Sequence, residues 1–157
     1  MAAWQYVLYL IPAEWCRVPG NGPELLVDGS GGVDLEAAWR EHQPNARFVS
    51  LISKVLPAST SWHADLKIWG DDERTDIQVW YEGVQVESVM ARIDTRTDTT
   101  GISANVVELA LALDCWFYFP ADRLILPPDV SILGKAIAGS AAAQFSADPR
   151  DFLRRLR

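Results

Sequence analysis

Two cysteines and two histidines, Cys16, Cys115, His42 and His63, are the residues of this chain best suited to nucleophilic or metal chemistry. A thiol nucleophile needs an imidazole base and a third group to orient it. Cys115 stands between Asp114 and Trp116 at a helix-to-strand junction, the setting of a small buried core residue. Cys16 adjoins Arg17, a cation that lowers thiol pKa, but no nucleophile signature surrounds it. The four positions show none of the short paired spacings of structural zinc sites. Asp71, Asp72 and Glu73 with Asp76 lack the alternating ligands, central Gly and closing Glu of a calcium loop. They read as a solvated acidic turn. Gly29-Ser30-Gly31-Gly32 has no Lys-Ser/Thr after it, so it is not a phosphate loop. Arg92, Asp94 and Arg96 alternate along one strand face, the pattern of a structural ion-pair ladder more than of an active site. No catalytic residue, metal or cofactor is expected.

Seven tryptophans are present, where about two would match average usage. Trp69 and Trp80 flank the acidic turn on neighbouring strands. Trp80 alternates with Ile77, Val79 and Tyr81, so a buried apolar face would leave Trp80 on the exposed one. Exposed aromatics beside carboxylates suit a protein interface, while cross-strand packing under a helix is the equally simple structural account. The expected partner surface is Trp69, Asp71, Asp72, Glu73, Asp76 and Trp80.

Charge narrows the partner. The chain carries −7, and its last eight residues hold a local +3, leaving −10 over residues 1–149. That field repels phosphate backbones and anionic membranes, which argues against nucleic-acid and membrane binding. A basic protein partner would instead be steered in. No apolar stretch approaches the roughly 18 residues of a membrane span. The segment Met1 to Pro12 has neither a basic n-region nor a cleavage site after it, which predicts a cytoplasmic protein with reduced thiols.

The elements that must position these residues follow from patterning. The length, 157 residues, fits one domain spanning residues 1–157. Residues 4–11 read as a buried strand stopped by Pro12, and residues 17–33 as a long Gly/Pro loop with a brief strand at Leu25–Val27. Asp34 is expected to cap a helix reaching about His42, and residues 46–56 form a second helix closed by Pro57. Asp65–Trp69, Thr75–Glu82 and Val84–Asp94 make a three-strand antiparallel meander over residues 65–94. The apolar phase slips in its third strand, which predicts a bulge near Glu87–Ser88. Helix signals return after Gly101, with Asn105 and Glu108, or Ser103, as the cap. Cys115–Phe119 is an aromatic strand, Asp129 opens a helix to about Gly139, and Asp148-Pro149 starts the last helix, packed through Phe152, Leu153 and Leu156. The class is α+β: one antiparallel sheet with helices on one face.

From Trp62 to Leu153 the features run in a recognisable order. They are Trp69-Gly70 followed by acids, Asp76-Ile77, Arg92-Ile93-Asp94-x-Arg96, a helix leading to Cys115, a Pro before the next helix, Phe145, Asp148-Pro149 and Phe152-Leu153. This order resembles a group of small acidic bacterial proteins of toxin–immunity loci, and the first 60 residues contribute nothing to it. The resemblance implies a cytoplasmic protein that binds and neutralises a cognate toxin without catalysis of its own. It carries over no individual site residue. The functional expectation is therefore a non-catalytic protein-binding protein, an immunity protein facing a basic toxin or effector. A secretion chaperone for an effector, or a hydrolase using a Cys/His pair, are the alternatives.

Overall fold

Among the described residues seven strands build the sheet: β1 (Gln5–Pro12), β2 (Ala58–Ser59), β3 (Leu66–Gly70), β4 (Asp76–Glu82), β5 (Gln85–Asp94), β6 (Cys115–Phe119) and β7 (Leu124–Leu126). The computed structural model describes residues 1–156. Every pairing is antiparallel and the order is β2-β3-β4-β5-β1-β6-β7. The meander expected over residues 65–94 is thus β3-β4-β5, and β1 is inserted between it and the β6-β7 hairpin. Among the described residues seven α-helices accompany the sheet: α1 (Ala13–Cys16), α2 (Glu36–Arg40), α3 (Phe48–Val55), α4 (Thr100–Ala112), α5 (Val130–Ala138), α6 (Ala141–Ala147) and α7 (Pro149–Arg155). The chain is a single α+β domain.

Register decides which side chains share a face. Leu8 opposes Ala91, Leu10 opposes both Val89 and Phe117, and Ile77 opposes Ala91, so these residues lie on one side of the sheet. That side is buried against Phe48 and Ile52 of α3, Val106 and Leu109 of α4, and Leu133 and Ile137 of α5. The opposite side carries Val7, Tyr9, Trp80, Met90 and Trp116, partly exposed, together with Ile11, Leu66, Ile68 and Tyr118, which are buried. The expected bulge is present. Trp80 faces Ser88 while Tyr81 faces Val86, leaving Glu87 as the extra residue.

Several boundaries move, each for a local reason. Asn105 and Ser103 lie inside α4 rather than capping it; the helix starts at Thr100, where Asp98 accepts the Thr100 N–H and hydroxyl. Asp34 accepts the Glu36 N–H, but the cap position itself is Leu35 and the helix stops at Arg40. Leu25 and Leu26 belong to a 3-10 turn, Pro23–Leu26, not a strand, because Pro at its first position favours the turn and Leu26 anchors it in the core. Asp129 and Asp148 do cap α5 and α7 through the Ile132 and Asp151 N–H groups. Ser140 caps α6, which the sequence reading lacks, as it lacks β2 and β7. On α7, Phe152 packs edge-on against Phe145 at 5.7 Å, but Leu153 and Leu156 are exposed rather than packed down.

Candidate functional site

The β3-β4 connection begins at Gly70, whose φ of +91° opens the turn, and returns at Asp76. Asp71, Asp72 and Glu73 are exposed. Asp76 is not: it is 0% exposed. Its carboxylate receives Arg92 Nε at 2.7 Å, a second Arg92 nitrogen, and Gln78 Nε2 at 2.9 Å. The hydrogen bond to Asp76 pushes the Arg92 pKa further up, which keeps the guanidinium charged beneath the surface. Asp76 therefore braces the sheet and faces no partner. Trp69 is also removed from the expected surface. It opposes Ile77, shares the core side with it, is 2% exposed, and donates its indole N–H to Ser53 Oγ of α3 at 3.0 Å. The alternation of Asp65–Trp69 does form a strand, β3, but which of its sides faces the helices depends on its pairing with β4.

The backbone of the turn is held from below. Gln5 Nε2 donates to the carbonyls of Asp72 at 3.0 Å and Arg74 at 2.7 Å, and Arg92 reaches the Asp72 carbonyl at 3.2 Å. Trp4 Nε1 donates to the Glu73 carbonyl at 3.1 Å, joined by Arg96 at 3.3 Å. Asp71 accepts the Glu73 N–H, closing the turn on itself. Arg96 lies 4.3 Å over the Trp4 ring and forks onto Asp94 at 2.9 and 2.7 Å. That fork holds the Asp94 carboxyl below the usual carboxylate range. The expected Arg-Asp-Arg row is a pair of separate ion pairs, because Arg92 reaches across to Asp76 instead of along its own strand.

No protein-family model, curated protein or solved structure matches this chain.

At the far end of β4, Trp80 lies on the side opposite Ile77 and Val79, as its alternation predicts. It is half-buried and meets two rings that lie outside the expected partner surface. Trp62 is 5.6 Å away at 70° and His63 is 5.3 Å away at 51°. Trp62 is 67% exposed. The only sequence signal for this cluster is the aromatic pair Trp62-His63 just before a strand, which alone does not reveal its distance from Trp80.

The thiols behave as buried groups. Burial pushes Cys16 up to about 12 despite Arg17, and it pushes Cys115 well above the usual thiol range. Cys115 donates to the Leu113 carbonyl at 3.6 Å. Neither is a thiolate at neutral pH, the form that nucleophilic attack requires. His42 Nδ1 is engaged by Glu14 at 3.0 Å. Among the described residues no group of three His, Cys, Asp or Glu is placed to hold a metal ion, and no helix is long and apolar enough to cross a membrane.

Proposed function

We propose that this chain is a non-catalytic protein-binding protein, a bacterial immunity protein that neutralises a cognate basic toxin in the cytoplasm. The observation that carries the reading is the acidic turn Asp71–Thr75, whose carbonyls at 72, 73 and 74 are all held by side chains, those of Gln5 in β1 and of Trp4 just before it. A turn fixed in this way presents the Asp72 and Glu73 carboxylates without a loop-ordering cost on binding. Its acids steer a basic partner and set register. The elevated thiol pKa values and the net charge of −7 support the same reading.

The test is co-expression with the toxin gene adjoining this one in a susceptible host. Rescue of growth together with a co-purifying stoichiometric complex is the expected outcome. Growth arrest undiminished by a soluble, well-expressed chain overturns the reading. Processing of the toxin by the chain, abolished in Cys16→Ala or Cys115→Ala, would overturn it in favour of an enzyme.

A further inference from the structure

Trp62 is a large aromatic side chain left mostly in water, and its neighbours give it a use. Its ring and that of Trp80 meet at 70°, a corner rather than a stack, with His63 closing one side. Carboxylates gather around that corner. The Asp65 carbonyl receives the Tyr81 N–H at 2.8 Å, which sets Asp65 beside the end of β4. Glu82 is two residues beyond Trp80 and shares its side of the strand. Glu87 is the bulge residue next to Ser88, the register partner of Trp80. Burial, then the fields of Glu82, Glu36, Asp34 and Asp65, hold the Glu87 carboxyl above its ordinary value. Among the described residues neither Glu82 nor Glu87 has an ion-pair partner, and Asp65 has only His63 at 3.9 Å. Lys67 opposes Val79 and sits over the Tyr81 ring, on the other side of the sheet.

We propose that the Trp62–Trp80 corner docks an arginine side chain of the basic partner protein, with Asp65, Glu82 and Glu87 as its counter-charges. The proposal rests on the protein-binding reading above and assigns it a second contact. A guanidinium fits both components: its plane lies on an indole face while its N–H fork reaches carboxylates. The chain uses that combination internally, where Arg96 covers Trp4 and forks onto Asp94. At the Trp62 corner the aromatic and acidic parts are in place, and among the described residues no arginine or lysine is paired with Glu82 or Glu87 or stacked on Trp62 or Trp80.

The probe is a hexa-arginine peptide, with hexa-citrulline as its uncharged counterpart, followed by NMR of the indole N–H resonances. Saturable shifts of the Trp62 and Trp80 signals with arginine, and none with citrulline, are expected. Trp62→Ala removes an exposed ring and leaves the fold intact; it should weaken peptide binding about tenfold. Glu82→Gln with Glu87→Gln should weaken it and reduce its salt dependence, while Asp72→Lys with Glu73→Lys leaves the Trp62 and Trp80 shifts in place. Shifts confined to Trp4 at the turn end, or unchanged affinity in Trp62→Ala, would overturn the proposal. So would a concentration-dependent dimer lost in Arg154→Ala with Arg155→Ala, because it would seat α7 of a second copy in the corner. Toxin rescue that persists in Trp62→Ala with Trp80→Phe would discard the corner and leave the protein-binding reading standing. Loss of rescue in the wild-type chain discards that reading instead.

Discussion

The two ends of the β3-β4 pair carry the same kinds of side chain and use them in opposite ways. At the turn end, Arg92 neutralises Asp76, and Arg96 is shared between Asp94 and Trp4. At the other end, Trp62, Trp80, Glu82 and Glu87 meet no arginine or lysine of the chain among the described residues. Solvent explains the contrast. Asp76 is wholly desolvated, and a lone carboxylate there would be untenable without a bidentate partner. Glu82 keeps contact with water and needs none. Partnered charge in this protein holds shape, and unpartnered charge marks the surface that remains available.

The comparison breaks first at Arg92. Arg92→Ala strands a buried carboxylate and should lower unfolding free energy by about 3–5 kcal/mol, read from urea denaturation. A loss under about 1 kcal/mol would rank the pair with surface salt bridges and erase the contrast. Gly70→Ala comes next. At φ +91° an added Cβ would collide with the Thr75 carbonyl oxygen, so a loss of about 2 kcal/mol is expected by the same measurement.

A smaller effect should appear in acid. The folded Asp94 carboxyl titrates below its unfolded counterpart, because Arg96 stabilises the anion. Its contribution is therefore complete above the unfolded value of about 3.9 and is lost as pH falls below that through the folded value. Asp94→Asn should flatten stability against pH in that window and cost about 1 kcal/mol at neutral pH. An unchanged acid limb would show that Asp94 is not coupled to folding. The smallest stability change is expected for Asp72→Lys with Glu73→Lys, under about 0.5 kcal/mol, since both side chains are exposed. In the complex, the same change should slow association and flatten its salt dependence, which stopped-flow mixing at several ionic strengths would read.

Periodicity and punctuation made the meander, the bulge and the Asp129 and Asp148 caps legible, because each is fixed by residues within a few positions. The same local logic could not place Trp69 or Asp76. Both alternate correctly, but which side of the sheet meets α3, and which arginine reaches Asp76, depends on residues 16 positions or so away in sequence. The turn's bracing was hidden for a stronger version of that reason: Gln5 and Trp4 reach it from 67 and 69 positions upstream. Trp62 escaped because nothing in Trp62-His63 distinguishes a loop aromatic from one that meets a strand face. Short elements such as β2 and α6 have too few residues for a period to register.

The place of β1 has a consequence for how this protein is made. Its register partners are residues 89–94 on one side and 115–118 on the other. Tyr6–Ile11, six residues without a charge or a proline, therefore leaves the ribosome long before either neighbour exists. Such a segment is prone to pair with other chains while it waits. The hairpin of β4 and β5 can form locally, but the sheet closes only after Phe119 has emerged, and closure over such separations is slow. An interior strand of the finished sheet is the nascent chain's longest-standing liability.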